Sequence, residues 1–550
     1  MKKALPFLVV LILLLGFFIG QNFTKKESGI TTIIFNNDNK LSQIFDIIGS
    51  EYVDKADIDS IIERSIPKVL EELDPHSTYI PKDEVEEMTS DLQSSFSGIG
   101  IRFTIQEDTI DISEVIRGGP SEEAGVLAGD RIITINDSLF VGKDVCTNQA
   151  AMKKLKGPKG SFVKLGLQRF GEKELVEVRI RRDDIEVKSI ETAYLLNGKW
   201  GYIMIERFAE NTFAEFIKAM IELANQRAQG YIIDLRGNGG GLMSEAINIV
   251  SLFVPKGTLV VTAKGNTPES VREYKTSTDP IDTQIPIIVM IDSGSASSSE
   301  IVAGAFQDLD RAVIMGKRSY GKGLVQSIRP LAYNGQMKVT TAKYYTPSGR
   351  CVQAIDYSNR NEDGSVGHIP DSLTKEFRTA KGRIVRDGGG ITPDVEIESP
   401  SYSRLVYSLV LGGVLDQYVI DWARRHDSLP EVDQFHFSDD DFEDFIAFAK
   451  TQDFDYRSSA KTLFDQMKKE LEKDGLAEAM DAELQIMEKA LEMDKEKFIR
   501  LKKDEIIPFI EEELAVRYWF QEAGVQIRLR YDDQLKKALG IKENFVNFAI

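Results

Sequence analysis

Cysteine is scarce in this 550-residue sequence and acidic residues outnumber basic ones, and both facts exclude classes of function. The two cysteines, Cys146 and Cys351, lie far apart with no CxxC or Cys/His spacing, so neither a disulfide framework nor a metal site is indicated. We expect both to be small buried apolar side chains. The formal net charge of -19, with no segment rich in Lys and Arg, argues against a nucleic-acid partner.

The N-terminus carries one long run without a charge, "ALPFLVVLILLLGFFIG", which follows Lys2 and Lys3. A basic start and an apolar run are typical of an export signal. No A-x-A cleavage site follows, and the run reaches the lower edge of the roughly 17 to 25 residues that span a bilayer. We therefore expect a retained membrane anchor, with a cleaved signal as the alternative, and the rest of the chain on the far side of a membrane.

The length predicts several domains, because single cores stop growing near 250 to 300 residues. A helical pattern runs from Asn39 to Met88, short strand-like runs fill Gly98 to Arg182, buried strands then alternate with helices, and the remainder is helical. The predicted fold is therefore a multidomain α/β protein, an α/β core with an inserted small β-rich domain. The predicted boundaries are 1–29 (signal or anchor), 30–96 (N-terminal helical segment), 97–184 (β-rich domain), 185–400 (core) and 401–550 (C-terminal helical domain).

The stretch "VMIDSGSASSSEIVAGAFQD", Val289 to Asp308, joins a predicted buried strand to a predicted helix through a turn crowded with serines. Reactive groups of α/β folds gather at the carboxyl ends of strands. A hydroxyl there would face unpaired backbone N–H groups and the positive end of the helix dipole. Helix capping is the alternative explanation of the same serines.

The stretch "GKRSYGKGLVQ", Gly316 to Gln326, nearly matches a phosphate-binding loop. However, Gly323 stands where a Ser or Thr must hold magnesium, and a strand follows instead of a helix. Lys322 would become a usable base if burial lowered its pKa. Since the four histidines are isolated, a Ser/Lys pair is the natural combination, with Gln326 orienting the amine. A surface lysine in a turn is the alternative.

A third stretch, "DLRGNGGGLM" from Asp234 to Met243, also follows a predicted strand and precedes a predicted helix. It fails the dinucleotide-binding pattern G-x-G-x-x-G, because Leu242 occupies the last glycine position. Successive glycines can present backbone N–H groups as an anion-binding nest. A tight turn without a ligand explains the glycines equally well.

Together these three stretches resemble the carboxyl-terminal processing, or tail-specific, proteases, a serine peptidase family with a Ser/Lys dyad. The resemblance implies Ser297 as nucleophile, Lys322 as base and Gln326 as the residue that orients the base. It implies an oxyanion hole made of the backbone N–H groups of Gly240 and Ser298, and no cofactor. Related segments elsewhere are "LDPHSTYI", "GIGI", "TPSGRCVQ" and "GGGITPDV". Two departures are small: Ser298 replaces the usual alanine and Gly239 the usual proline.

The β-rich domain resembles a PDZ domain, with "GIGIRF" in place of the carboxylate-binding loop and "GGPSEEAGVLAGDRIITIND" after it. In such a domain the backbone around Gly98, Ile99, Gly100 and Ile101 would capture a C-terminal carboxylate while the peptide adds a strand to the sheet. We therefore expect substrates to be chosen by their C-terminal tails.

The sequence thus predicts an exported serine endopeptidase acting on unfolded or C-terminally exposed proteins. It would lie at the periplasmic face of the inner membrane, or free in the periplasm if the signal is cut. A non-catalytic PDZ scaffold and an ATP-dependent enzyme are the alternatives. The resemblance implies a possible homodimer. The insertion 357–389 is interpreted as a lid or a surface loop.

Overall fold

The computed structural model describes residues 40–85, 94–106, 108–190, 192–360, 366–398, 400–426, 428–491 and 494–540. The chain divides into two compact units, residues 1–72 and 73–550. The first contains helices α1 (Lys40–Glu51) and α2 (Ile58–Glu71), and Asp57 caps α2 by accepting from the Ser60 amide. No helix within the described residues could cross a membrane. The predicted anchor lies outside them.

The β-rich domain is a six-stranded antiparallel sheet with two helices. Its order is β3-β4-β5-β7-β8, with β6 paired to β5, and a separate pair joins β2 to β9. Alternation of apolar and polar residues buries one face of the sheet in an apolar core, which also contains Cys146. The elements are β2 (Ser95–Gly98), β3 (Ile101–Gln106), β4 (Thr109–Val115), α3 (Pro120–Glu123), β5 (Arg131–Ile135), β6 (Ser138–Leu139), α4 (Asn148–Leu155), β7 (Phe162–Gln168), β8 (Val176–Arg181) and β9 (Asp183–Glu186).

The core is built on a second six-stranded sheet with the order β10-β11-β12-β15-β16-β23, parallel from β11 onwards. Its central strands are buried along their whole length, as the continuous Ile/Val runs predict. The predicted alternation of buried strands with helices is confirmed, because a helix follows each of the strands β11, β12 and β15. The elements are β10 (Ala193–Leu196), β11 (Trp200–Met204), α5 (Thr212–Asn225), β12 (Gly230–Asp234), α6 (Met243–Ser251), β15 (Ile287–Ile291), α7 (Ser298–Asp308), β16 (Val313–Gly316) and β23 (Val395–Glu396).

A third sheet carries part of the candidate site. Its order is β1-β18-β13-β14, and β17 pairs with β18. Strand β1 comes from the segment assigned to the N-terminal helices, 30–96, but its hydrogen bonds to β18 make it part of the core. The strands are β1 (Thr78–Ile80), β13 (Leu259–Lys264), β14 (Arg272–Lys275), β17 (Leu324–Pro330) and β18 (Gln336–Tyr345).

The insertion 357–389 contains parts of two small hairpins. Arg383 pins it to the core, because its guanidinium lies 2.6 Å from Asp310, which is buried, and 2.5 Å from Asp394. Cys351, just before the insertion, is only half-buried, so the expectation that both cysteines are buried is wrong for this one. The strands are β19 (Ile355–Arg360), β20 (Val366–His368), β21 (Glu376–Arg378) and β22 (Ile384–Arg386).

The C-terminal residues form a helical domain with its own aromatic and aliphatic core. Its last helix packs on the parallel sheet, where Leu535 joins the apolar residues of that face. The helices are α8 (Arg404–Leu411), α9 (Val414–Arg424), α10 (Asp439–Thr451), α11 (Ser459–Lys473), α12 (Asp481–Leu491), α13 (Lys495–Leu501), α14 (Lys503–Tyr531) and α15 (Asp533–Leu539).

Candidate active site

Three loops meet at the carboxyl edge of the parallel sheet. They follow the neighbouring strands β12, β15 and β16, whose ends are in register at Asp234 with Met290 and at Ile291 with Gly316. The loops carry the glycine-rich turn, the serine-rich turn and the lysine segment. Parallel pairing therefore brings together three stretches that lie about 60 and 25 residues apart in sequence.

Most of the serines in the turn are structural ties. The hydroxyls of Ser295, Ser298 and Ser299 donate to backbone carbonyl oxygens of the glycine-rich turn, at Leu235 (2.8 Å), Gly241 (2.8 Å) and Asn238 (2.9 Å) respectively. These bonds hold the start of α7 against the glycines. Ser298, which replaces the alanine usual in the resembling family, is thus committed to a carbonyl.

Ser297 differs from its neighbours in its backbone. Its φ of 56° and ψ of -113° lie in a region that residues with a side chain rarely occupy. It occupies the N-cap position of α7, so the capping explanation and the predicted nucleophile concern the same residue. Such strain persists only where the surroundings over-determine it, and it is concentrated at functional sites. A serine on a strained strand-to-helix turn projects its hydroxyl out of the sheet edge.

Glu300 joins the serine turn to the lysine segment. Its Oε2 accepts hydrogen bonds from the backbone N–H of Ser297 (2.9 Å) and of Lys322 (2.8 Å), and its Oε1 accepts from the Ser319 hydroxyl (2.6 Å) and the Gly321 N–H (2.7 Å). The carboxyl group is fully buried. One oxygen therefore fixes the backbones of the predicted nucleophile and base close together.

Lys322 is half-buried. Burial lowers the pKa of its amine, and the nearby cation of Lys338 lowers it further, against the opposing carboxylates of Glu300 and Asp74. Among the described residues, its ammonium forms no ion pair within 4.0 Å and no hydrogen bond with the Ser297 hydroxyl. Catalytic hydrogen bonds are often long in structures without substrate. The environment favours the neutral amine that a general base requires.

Gln326, the predicted orienting residue, lies opposite Thr340 across β17 and β18, next to a β-bulge. Its Nε2 donates to the Thr340 hydroxyl at 3.3 Å. Behind Thr340 lies the buried carboxylate of Asp74, which the sequence singled out only as part of a matching segment. The site therefore draws on a loop more than 200 residues upstream of the serine.

The predicted oxyanion donors lie side by side but are not equally available. Gly240 has a φ of 101°, and a Cβ added there would lie 2.7 Å from the Cβ of Ser297, so this glycine touches the predicted nucleophile. Its N–H donates to the side chain of Asn238 at 2.8 Å, and Asn238 is anchored in turn to the Ile205 carbonyl. To act as the predicted oxyanion donor, the Gly240 N–H must give up its hydrogen bond to Asn238 and donate to the oxyanion instead.

Gly240→Ala is expected to lower kcat by up to about 10²-fold, because the added methyl group must displace Ser297. Gly257→Ala is the matched control. Gly257 also has a positive φ, 85°, but an added Cβ there meets nothing within 4 Å. Both variants place an alanine at a positive φ and so carry the same kind of backbone strain. Steady-state kinetics should therefore show a lower kcat for Gly240→Ala and an unchanged kcat for Gly257→Ala. Equal losses would mean that Gly240 matters only through its backbone conformation.

The predicted tail-binding loop begins at the end of β2. Gly98 ends that strand, Ile99 is buried, Gly100 has a φ of 75° and Ile101 begins β3. The Ile99 carbonyl accepts from the Ser121 N–H at 2.9 Å. A trans peptide points its N–H opposite to its C=O, so the Gly100 N–H faces away from Ser121.

Sequence reasoning missed Glu300, Asn238, Tyr344 and the role of Asp74. Tyr344 is buried and donates its hydroxyl to the Ser297 carbonyl at 3.2 Å. A signal did exist for Glu300, because Ser297 and Glu300 have the S-x-x-E spacing of a capping box. Tyr344 and Asp74 act across distant segments and leave no local pattern, and Asn238 binds the distant Ile205 carbonyl as well as the nearby Gly240 N–H.

Comparison with known proteins identifies three segments of the chain. Residues 199–358 match the model of peptidase family S41, residues 97–180 a PDZ domain, and residues 405–541 the C-terminal helical domain of a probable PDZ-protease. The carboxy-terminal-processing protease of Bartonella bacilliformis is 36% identical over 354 residues, which are 63% of this chain and 80% of the relative. This chain belongs to the carboxy-terminal processing protease family. It is a serine-type peptidase with a PDZ domain.

A second relative of this protease is the carboxy-terminal processing protease CtpB of Bacillus subtilis, 34% identical over 57% of this chain and 65% of the relative. Among solved structures, the photosystem II D1 C-terminal processing protease aligns with a TM-score of 0.37 and 23% identity, covering 66% of this chain and 88% of that one. The S41 match spans both Ser297 and Lys322.

Proposed function

We propose that this protease is an exported endopeptidase that cleaves proteins selected by their C-terminal tails, through an acyl-enzyme formed by Ser297 and Lys322. The observation that carries the proposal is the single Glu300 oxygen that binds the backbone N–H groups of both residues. It supports a dyad because a nucleophile and its base must be held in a fixed relation.

In the proposed reaction, the neutral amine of Lys322 removes the hydroxyl proton of Ser297. The alkoxide attacks the peptide carbonyl carbon, and backbone N–H groups of the glycine-rich turn and of Ser298 stabilise the oxyanion. The Lys322 ammonium then protonates the leaving amine. Water, deprotonated by the same amine, hydrolyses the ester and restores the serine.

Two features of the PDZ domain support selection by the tail. The Gly100 N–H faces away from Ser121, where a substrate carboxylate could accept a hydrogen bond from it. Strand β3 pairs only with β4 among the described strands, so its other edge can receive a substrate strand. A site that binds a carboxylate at the loop and a strand along β3 would select the C-terminal end of a polypeptide.

The proposed location and assembly have narrower support. The uncharged run Ala4 to Gly20 supports a membrane anchor facing the periplasm. Helix α1 buries none of its residues within its own unit and exposes Ile44 and Ile47, which supports a second copy as partner. Membrane fractionation and sedimentation of the full chain test these two proposals, and a monomer in the soluble fraction would contradict both.

The function is tested by cleavage of one unfolded protein with a free or an amidated C-terminus. The wild type should cleave both and the amidated form more slowly, because the amide loses the charge that the loop binds. Ser297→Ala should cleave neither. Equal rates on the two forms would remove tail selection, activity in Ser297→Ala would overturn the nucleophile, and an inactive wild type would favour a non-catalytic PDZ scaffold.

A further inference from the structure

A chain of hydrogen bonds runs from Gln326 away from the dyad and ends on a carboxylate. The Nε2 of Gln326 donates to the Thr340 hydroxyl at 3.3 Å, and that hydroxyl donates to Oδ1 of Asp74 at 3.1 Å. Asp74 is 7% exposed and belongs to the loop that precedes β1. Resemblance to other proteases assigns no role to Thr340 or Asp74.

The chemistry of the three groups sets the direction of this chain. An ionised carboxylate only accepts hydrogen bonds, so the single proton of the Thr340 hydroxyl goes to Asp74. The hydroxyl oxygen can then only accept from Gln326, which must present its NH₂ group. The carboxamide oxygen of Gln326 is thereby turned the other way, and among the described residues it has no hydrogen-bond partner.

Asp74 and Thr340 are held firmly enough to set this direction. Asp74 also accepts from the backbone N–H of His76 (2.8 Å) and Ser77 (3.0 Å) and from the Ser77 hydroxyl (2.9 Å). The Ser77 oxygen accepts in turn from the Thr340 N–H at 3.1 Å. The backbone and the side chain of Thr340 are thus both bound to one buried loop.

We infer that Thr340, fixed by Asp74, is a positioning residue that makes Gln326 present its carboxamide oxygen, not its NH₂ group, to the amine of Lys322. The inference rests on the proposed dyad. An oxygen at that place accepts an N–H of the amine and leaves the nitrogen lone pair free for the Ser297 proton. An NH₂ group there would donate to the lone pair and block proton transfer.

The charged groups around Lys322 come from three elements. Lys338 lies on β18, Glu300 on α7, and Asp74 in the loop before β1. His76, in the same loop, is half-buried, and burial, followed by the positive charge of Lys322, lowers its pKa, which favours the neutral imidazole. None of these groups changes when Thr340 is replaced by an uncharged residue.

Thr340→Val is the test, because it removes the hydroxyl and keeps the shape. The Gln326 carboxamide is then free to turn, so kcat should fall about tenfold, less than the loss of a base costs, with KM unchanged. An NH₂ group facing Lys322 favours the neutral amine and lowers its pKa. The acid limb of the pH–rate profile should therefore move to lower pH, which a merely structural defect would not cause.

Two variants control the result. Thr341→Val makes the same change one residue along β18, where the exposed Thr341 lies with its hydroxyl 2.9 Å from that of Ser327, and should match the wild type. Thr340→Ser keeps the hydroxyl and should restore both kcat and the acid limb. A Thr340→Val enzyme that behaves like Thr341→Val, or a Thr340→Ser enzyme that stays impaired, overturns the inference. Activity in Ser297→Ala, measured alongside, would show instead that the proposed dyad is wrong.

Discussion

Lys322→Met is expected to lower kcat by about 10²- to 10⁴-fold, the usual contribution of a general base. Methionine fills the half-buried site of the lysine stem without an amine. The backbone N–H of residue 322 can still bond to Glu300, so the local fold should persist. Kinetics with an unfolded substrate measures the loss, and far-ultraviolet circular dichroism checks the fold.

The pH dependence of the wild type should identify the same group. Only the neutral amine can take the serine proton, so activity is lost as pH falls through the pKa of Lys322. Burial and Lys338 hold that pKa below its ordinary value of 10.5. We therefore expect kcat/KM to rise with pH and to reach half of its maximal value at a pH below 10.5.

Lys338→Met is the matched control, because it removes a lysine that acts on Lys322 only through its charge. Without that repulsion the pKa of Lys322 rises, so the acid limb should move to higher pH while the maximal rate is kept. If the acid limb of the pH–rate profile does not move in Lys338→Met, or is still present in Lys322→Met, the general base is another residue.

Glu300→Gln is expected to destabilise the site although the two side chains have nearly the same shape. The carboxylate accepts four hydrogen bonds, two at each oxygen. A glutamine offers one oxygen, and its NH₂ group would face two donors. Each buried donor left without an acceptor costs about 1–3 kcal/mol. We expect the local free energy of unfolding around α7 to fall by about 3 kcal/mol, and kcat to fall with it.

Glu215→Gln is the control for this change. Glu215 also binds two backbone N–H groups, those of Ser189 and Ile190, but both bond to its Oε2, and its Oε1 has no partner among the described residues. A glutamine can keep both bonds with its one oxygen, so little stability should be lost. Hydrogen exchange of peptides from α5 and α7 compares the two. Equal protection in both variants would mean that the four bonds of Glu300 add nothing special.

Much of the fold could be read from the sequence because its signals are local. The run Ile287 to Ile291 predicts a buried strand by composition, and helices α5, α6 and α7 were expected because such buried runs alternate with helices. Ser297, Lys322 and Gln326 followed from the resemblance, and the edge of a parallel sheet then explains why their segments meet. The separate core of the C-terminal domain was not predicted, because a Glu- and Lys-rich helix shows its solvated face more clearly than its buried one.

The sequence by itself determined the predicted order of the domains, the family and, through the family resemblance, the residues of the proposed chemistry, because the motifs that carry the resemblance depend on residue type and short-range spacing. Only the tertiary structure decided what the residues around Ser297, Lys322 and Gln326 do. The serines around Ser297 became ties to the glycine-rich turn, Glu300 became the link to Lys322, and Asp74 reached Gln326 through Thr340. Hydrogen bonds between distant segments impose no periodicity on the chain, so their partners become known only when the sheets are assembled.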